Sequence, residues 1–381
     1  MKIAILTQPL QSNYGGLLQA FALQHVLYDK GHEAWIINFC KFEDYRVWNR
    51  LKAKLLISLM NVSRFIKRKP LIGNSDVKEE AYVNQNTSFF ISKYINPITS
   101  KIYSPSQLKR VCNRKGFEGY VVGSDQVWRP SYSPYINHFF LDFCKDKDVK
   151  RLSYAASFGV ENWEFSEKET IQCSALAKEF NAISVRESSG IRLCKDHLGV
   201  AAIQVLDPTM LLDKSIYEDI VRESKEPHSK GSLFCYVLDN NNFPYEAIKG
   251  IEGLLDLTAF TTMPKYEYNR SIFKEHKEEC VYPPVEAWLR SFMDAKAVIT
   301  DSFHGCVFSI IFNKPFVALG NEERGQARFT SLLELFGLGN RLCDKGEIRS
   351  VLLQPIDWEV VNKKLFDLRK DSLDFLGQLD N

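Results

Sequence analysis

The sequence predicts an α/β protein built on doubly wound parallel sheets, and three observations carry this prediction. Residues 2–6 form a short apolar run, which is typical of a buried strand. A polar loop follows, and residues 17–30 then place apolar side chains at helical spacing up to Gly31. The apolar run at 33–39 completes a strand–helix–strand unit, the usual opening of a parallel sheet. A second unit of this kind occurs late in the chain, at 298–320.

Length and composition narrow the classes of function. At 381 residues the chain is long for one domain and comfortable for two. A net charge of +2 gives no indication of nucleic-acid binding. The nine cysteines lack CxxC pairs and metal-like spacing, so we expect reduced thiols and no bound metal. No apolar run reaches the roughly 18 residues of a membrane span, and the first strand is too short for a secretion signal, so we expect a cytoplasmic protein.

The first half of the chain repeats one arrangement, in which polar residues follow a predicted strand. The polar clusters are 13–15, 124–126, 157–159 and 186–187. Because the carboxyl ends of parallel strands lie along one rim of a sheet, we expect these clusters to converge there. The other predicted elements of this half are strands at 117–123, 151–156, 182–185 and 201–206, a helix at 164–178 capped by Ser166 and Glu169, and a helix at 188–198.

The second domain is predicted to begin near residue 209. Its elements are strands at 233–238 and 257–261, a helix at 285–294, the 298–320 unit, and helices at 329–336 and 355–376. We therefore divide the chain into an N-terminal domain at 1–208, a C-terminal domain at 209–354 and a terminal helical segment at 355–381.

Residues 41–70 differ from the rest of the first domain. Between 46 and 69 there are eight basic residues and no acidic one, with apolar residues interleaved at near-helical spacing. This pattern is typical of a basic amphipathic helix lying on an anionic membrane surface. A helix packed on the domain with a solvated basic face is the plainer interpretation.

The turn Thr300–Gly305 is the first candidate site. It joins a strand to a helix, where ligands of open α/β sheets bind and helix N–H groups point outward. Ser302, Phe303, His304 and Gly305 place a hydroxyl, an imidazole and a glycine in this turn. We expect a site for an anionic small molecule, although Ser302 also suits a simple helix cap.

TDSFHG at 300–305, followed by FSIIFNKPF, resembles the second-domain signature of the polysaccharide pyruvyl transferase family. NYGG at 13–16, GSDQVW at 123–128, SYAASFG at 153–159 and ISVRE at 183–187 fit the same family, as does LDPTMLL at 206–212. The resemblance implies two Rossmann-like domains in a glycosyltransferase-B-like arrangement. It also implies a reaction in which the enolpyruvyl unit of phosphoenolpyruvate is joined to two sugar hydroxyls as a ketal, with release of phosphate.

Such a reaction needs cations for the donor and an acid/base group. His304 is our acid/base candidate, because its ordinary pKa lies near neutrality and a helix N-terminus favours its neutral form. Arg186 is the first anion-binding candidate; a salt bridge is the plainer alternative. Several family members have arginine where this chain has Ser302, so either Arg324 or Arg328 supplies the missing charge or the donor differs. A solvated loop is the plainer interpretation of these two arginines.

The remaining candidates belong to the rim of the first sheet. Asn13, Tyr14 and Gly15 suit close backbone approach, and Ser124, Asp125 and Gln126 are candidates to bind sugar hydroxyls. A turn or helix-cap role is the alternative for Asp125, and Ser157 is a further substrate-binding candidate at the rim. By resemblance, the acceptor is a saccharide precursor, lipid-linked and processed at the inner face of the membrane, and no cofactor besides the donor phosphoenolpyruvate is expected.

Two other functions stay open. One is a glycosyltransferase that uses a nucleotide sugar, for which Glu286 is the single acidic candidate to bind a ribose. The other is a saccharide-binding protein that has lost donor binding, an interpretation that Ser302 favours and His304 opposes.

Overall fold

The computed structural model describes residues 1–40, 74–133, 135–144, 148–239, 243–320 and 326–380. Its framework is two fully parallel sheets. The first has six strands in the order β2-β1-β3-β4-β5-β6, and the second has five in the order β11-β10-β9-β7-β8. The strands are β1 Lys2–Leu6, β2 Glu33–Ile36, β3 Gly119–Val122, β4 Lys150–Ala156, β5 Ala182–Val185, β6 Ile203–Gln204, β7 Leu233–Tyr236, β8 Ala259–Phe260, β9 Ala297–Thr300, β10 Phe316–Leu319 and β11 Leu342–Cys343.

Helices connect these strands, as parallel pairing requires. In the first half they are α1 Tyr14–Asp29, α2 Asn74–Val83, α3 Gln85–Tyr94, α4 Pro105–Lys115, α5 Glu167–Ala177 and α6 Ser188–Leu193. In the second half they are α7 Lys214–Ser224, α8 Tyr245–Leu255, α9 Arg270–Glu275, α10 Val285–Asp294, α11 Phe303–Ile311, α12 Ala327–Phe336, α13 Ile348–Leu352 and α14 Trp358–Leu376. The prediction of two parallel α/β units is confirmed.

Local chemistry explains where two helices begin. α1 starts at Tyr14, three residues before the predicted start, because the Asn13 side chain accepts a hydrogen bond from the Gly16 N–H and caps the first turn. α5 starts after Ser166, whose hydroxyl and the Glu169 carboxylate form the predicted capping box.

The core is layered around the two sheets. One cluster packs α1 against the first sheet and continues through α10, α11 and α12 of the second half, so the same apolar core joins both sheets. A second cluster covers the other face of the first sheet, and a third covers the other face of the second sheet. Because the shared cluster lies between the sheets, the rims of the two sheets are held in fixed proximity.

The terminal helix α14 contacts residues from the first half of the chain. The Ser372 hydroxyl accepts a hydrogen bond from the Leu206 N–H at 3.0 Å, and the Phe375 ring lies 6.2 Å from that of Tyr154. The Arg369 guanidinium donates to the carbonyls of Met210 and Leu212. The domain limits at 208 and 354 stay predictions.

Two further observations concern membranes. None of the helices in the described part of the chain combines the length and the apolar character that crossing a bilayer requires. The basic segment 41–70 lies outside the described residues, so its predicted amphipathic helix stays a prediction.

Candidate active site

The candidate site lies where the carboxyl rim of the first sheet meets the start of α11. Strand β5 ends at Val185, and the next residue, Arg186, extends a buried guanidinium toward the second half of the chain. This guanidinium lies over the Phe303 ring, 4.3 Å from its centroid. The stacking joins the rim of one sheet to the first turn of a helix that follows the other.

Asp207 lies at the centre of the site and contacts groups from both halves of the molecule. Its Oδ2 is 3.0 Å from Arg186 Nη1 and 3.5 Å from His304 Nε2, while its Oδ1 accepts a hydrogen bond from the Thr209 hydroxyl at 2.7 Å. Burial by itself raises the pKa of this carboxyl, but the His304 ring, the Arg186 guanidinium and the Thr209 hydroxyl outweigh burial and hold the pKa of Asp207 well below its ordinary range.

His304 lies between the two domains. Its Nε2 faces Asp207 at a distance too long for a good hydrogen bond, and it is buried without a hydrogen bond to any described residue. Its Nδ1 side rests against Gly15 in the first turn of α1. A Cβ atom at position 15 would come within 2.1 Å of Nδ1, so only glycine fits beside the ring. The amino-terminal turns of α1 and α11 therefore meet at this imidazole.

A second buried guanidinium, that of Arg328, belongs to the same site. Arg328 lies in the first turn of α12. Burial and then the Arg186 guanidinium lower the pKa of Arg328 to about 10, while the carboxylates of Asp125 and Glu187 act in the opposite direction. The two guanidinium groups lie close enough to disfavour one another, and the carboxylates of Asp207, Asp125 and Glu187 act on Arg186 in the opposite direction. Two neighbouring guanidinium groups can bind the two acidic groups of one anion. The alternative candidate, Arg324, lies outside the described residues.

The polar residues that follow β3 and β4 are buried below the rim. Ser124 Oγ donates to the Ala155 carbonyl and contacts Asp207, and Asp125 Oδ1 lies 3.5 Å from Arg186 Nη2. Gln126 Oε1 accepts a hydrogen bond from Arg129, and Ser157 Oγ donates to Glu187. These groups are used within the protein, which differs from the expectation that they bind sugar hydroxyls directly. Their role as ligand groups stays a prediction.

The other predicted residues lie at the amino-terminal ends of helices α1 and α11. Ser302 caps α11, its Oγ accepting from the Gly305 N–H at 3.4 Å, and a Cβ at Gly305 would come within 2.1 Å of Thr300 Oγ1. Tyr14 is buried, stacks on Trp288 with ring centroids 5.7 Å apart, and donates its hydroxyl to the Pro283 carbonyl. The capping of α11 by Ser302 therefore agrees with the plainer of its two interpretations, and Tyr14 holds the domains together.

Two residues of the site, Asp207 and Glu187, were not among the predicted site residues, although Glu187 belongs to the predicted polar cluster 186–187. Glu187 Oε1 accepts hydrogen bonds from the Ser157 hydroxyl and from the Phe158 and Gly159 N–H groups, which holds the loop after β4 in place. Asp207 directly follows the predicted strand 201–206, so the rule that picked out Arg186 would also have found it. Among the described residues, no group of three His, Cys, Asp or Glu side chains could hold a metal ion.

Comparison with known proteins gives the family. The family model described as polysaccharide pyruvyl transferase matches residues 13–323, which is well over half of the chain. No curated protein shows a significant match.

Solved structures of similar fold are distant in sequence. The UDP-GlcNAc 2-epimerase of Methanocaldococcus jannaschii superposes with a TM-score of 0.51 at 12% identity, over 96% of this chain and 92% of that one. Arabidopsis thaliana UGT89C1, solved with UDP-L-rhamnose, superposes with a TM-score of 0.50 at 9% identity, over 99% and 98% of the two chains. At such identities the likeness concerns the fold alone.

The parallel sheets and the rim-to-helix site define a two-domain α/β protein with a glycosyltransferase-B-like fold, as the sequence predicted. Within that class, the chain belongs to the polysaccharide pyruvyl transferase family, a family of transferases.

Proposed function

We propose that this protein transfers the enolpyruvyl unit of phosphoenolpyruvate onto two hydroxyls of a saccharide precursor, forming a pyruvate ketal and releasing phosphate. Family membership supports a transferase, and one observation in the structure favours this donor. Two buried guanidinium groups, Arg186 and Arg328, lie close together, and Arg186 faces the same Asp207 oxygen as the His304 imidazole. Phosphoenolpyruvate carries a carboxylate and a phosphate, which match two guanidinium groups.

The donor would use a nitrogen of Arg186 that makes no hydrogen bond to a described residue. Arg186 already faces Asp207 and Asp125 through its two terminal nitrogens, whereas its buried Nε has no hydrogen bond to any described residue. The amino-terminal turns of α1 and α11 add partial positive charge at the same place. An anion bound here would offset the unfavourable proximity of the two guanidinium groups.

His304 is proposed to move the protons. One sugar hydroxyl attacks C2 of phosphoenolpyruvate, and the methylene carbon C3 receives a proton and becomes a methyl group. The phosphate leaves with the C2–O bond electrons, and the second hydroxyl closes the ketal on C2. One hydroxyl proton thus ends on C3 and the other on phosphate, so no oxidant or further reactant is needed. Asp207, whose Oδ2 lies 3.5 Å from Nε2, is proposed to act on the ring by electrostatic attraction and so to orient it for these transfers.

The experiment that tests this function measures phosphate release. Purified protein is incubated with phosphoenolpyruvate and galactose- or mannose-containing acceptors, and the ketal methyl group is observed by NMR. We expect release that depends on the acceptor, and a His304→Gln variant slowed by about 10²–10⁴-fold with an unchanged fold. Near wild-type turnover of His304→Gln would refute the role of the imidazole, and sugar transfer from a nucleotide sugar without use of phosphoenolpyruvate would refute the function.

The nucleotide-sugar alternative gains no support from its acidic candidate. Glu286 lies at the start of α10 and is 3% exposed. Burial raises the pKa of its carboxyl, which disfavours a charged group available to a ribose. We further propose, from the family alone, that the acceptor is lipid-linked and that the protein works at the inner face of the membrane.

A further inference from the structure

A cavity of about 290 Å³ lies between the two halves of the molecule, close to the His304 turn. Ser12, Asn13 and Tyr14 line it from the loop after β1 and the start of α1. The second half contributes Tyr236 at the end of β7 and the two residues that follow it, together with Met263, Pro264, Glu267 and Tyr282. None of these residues except Asn13 and Tyr14 belongs to the site described above, and the donor guanidinium groups are not among those that line it.

The lining combines apolar walls with a few polar groups. Tyr236, Tyr282, Met263 and Pro264 supply aromatic and aliphatic surface, and Glu267 supplies an exposed carboxylate. Apolar walls with a few polar groups are the usual composition of a small-molecule pocket. The C–H faces of a sugar ring pack on such walls, and its hydroxyls donate to carboxylate and amide oxygens.

The charge of the residues that line the cavity disfavours binding of the anionic donor, phosphoenolpyruvate. Of the described residues that line the cavity, none is a lysine or an arginine, and Glu267 is acidic. A phosphate or carboxylate is therefore disfavoured here, in contrast to the site beside Arg186 and Arg328. The volume lies at the lower end of the roughly 300–1,000 Å³ typical of ligand pockets, which suits one ring and not a nucleotide sugar.

Two connections link the lining of the cavity to the turn that carries His304. Tyr14 lines it, and the next residue, Gly15, is the one against which the His304 ring packs. On the other side, the carbonyl of Tyr236 accepts a hydrogen bond from the Thr300 hydroxyl at 2.7 Å, and Thr300 starts the turn that carries His304. A sugar ring in this cavity would lie beside residues that adjoin or contact the turn carrying His304, the group proposed to move its protons.

We propose that this cavity binds the sugar unit of the acceptor that receives the ketal, with Glu267 accepting hydrogen bonds from its hydroxyls. This inference rests on the proposed function, because only that function makes the bound sugar an acceptor. It places the acceptor against the second half of the molecule as well as the first, and not on the buried residues Ser124–Gln126.

The test measures saccharide binding separately from catalysis. Saturation-transfer NMR is recorded on the full chain with methyl glycosides of galactose, mannose, glucose and N-acetylglucosamine at millimolar concentration. We expect at least one of these sugars to bind. Glu267→Gln should weaken that binding about tenfold or more, because a charge-assisted hydrogen bond becomes a neutral one. Met263→Trp should abolish it by filling the cavity.

The matched control is Glu275→Gln, which changes an exposed glutamate at the end of α9, away from the cavity lining, and should leave binding unchanged. Phosphoenolpyruvate binding is measured calorimetrically on every variant and should be the same in all of them. Binding of none of the four glycosides, or unaltered binding by both Glu267→Gln and a folded Met263→Trp, would overturn the proposal. Sugar binding that responds to these variants, without phosphate release by the wild type, would support the pocket and refute the donor chemistry.

Discussion

Gly15 has no side chain, and this leaves room for the His304 imidazole of the other domain. The His304 imidazole occupies the space that a Cβ at position 15 would take. Gly15→Ala must therefore displace the ring, and a shift of about 1 Å at a reacting group can cost roughly 10²-fold in rate. We expect a loss of that size in turnover, measured by phosphate release, with little change in the far-UV circular dichroism.

The control for this prediction is Gly250→Ala in α8, where an added Cβ meets nothing within 4 Å. Alanine is the better helix former, so this variant should keep full activity and gain about 0.5–1 kcal/mol in stability. Equal turnover of Gly15→Ala and the wild type would show that the ring does not need its present position.

The lowered pKa of the Asp207 carboxyl predicts that the free energy of unfolding depends on pH. Because its pKa is depressed in the folded state, its contribution is fully present above the unfolded carboxyl pKa of about 3.9 and is lost as pH falls from there toward the lower folded value. Asp207→Asn leaves Arg186 and His304 without their shared counter-charge. We expect a loss of about 3–5 kcal/mol at pH 7, measured by urea unfolding, and a smaller difference from the wild type below about pH 4.

Asp371→Asn in α14 is the corresponding control, since that carboxylate is exposed and its replacement should stay within about 0.5 kcal/mol. A difference between Asp207→Asn and wild type that is as large at pH 3 as at pH 7 would contradict the assignment.

At the scale of elements, periodicity predicted the order of strands and helices, and tertiary contacts decided their ends. The strand predicted at 33–39 ends at Ile36, because the chain beyond it pairs with another segment: Ile36 bridges Ile98 and Phe39 bridges Ile102. The pattern of apolar residues cannot distinguish these pairings from a continued strand. The cap of α5, by contrast, depends only on Ser166 and Glu169, and was predicted correctly.

The basic segment 46–69 yields a prediction that rests on sequence alone. Its eight basic residues each contribute about 1 kcal/mol near an anionic surface, so engagement of even half of them would give measurable binding. We expect the protein to sediment with anionic liposomes at low salt and to be released at high salt. Neutral substitution of Arg64, Lys67, Arg68 and Lys69 should weaken sedimentation, while neutral liposomes serve as the control. Protein that stays in the supernatant at low salt would mean that the basic face is only solvated.

At the scale of the whole molecule, the site is assembled from both domains, and this is why the sequence predicted its members better than its geometry. His304, Arg186 and Arg328 were each identified from a strand end or a motif. Arg186 and His304 meet at Asp207, and Arg328 lies near Arg186, because of how the two sheets pack, through a core that local patterns do not encode. The same packing buries Ser124 and Gln126, which were predicted to face the ligand.

A donor that contacts both domains should stabilise the whole chain. At a concentration of 100 times Kd, phosphoenolpyruvate is expected to add about 2.7 kcal/mol to the free energy of unfolding, measured by urea titration. Pyruvate, which lacks the phosphate, should add less, and Arg328→Ala should remove most of the effect. An unfolding curve that phosphoenolpyruvate does not shift would contradict donor binding at this site.

The Asp207 carboxylate, which Arg186 and His304 both face, also limits which substitutions can persist in evolution. Replacing Asp207 removes the carboxylate that Arg186 and His304 both face, and replacing Arg186 or His304 removes one of the two neighbours of that carboxylate, whereas coordinated replacements can keep the set balanced. Single substitutions at 186, 207 and 304 are therefore expected to be purged, and surviving changes to come as matched sets. The three positions are distant along the chain, but we expect them to change together.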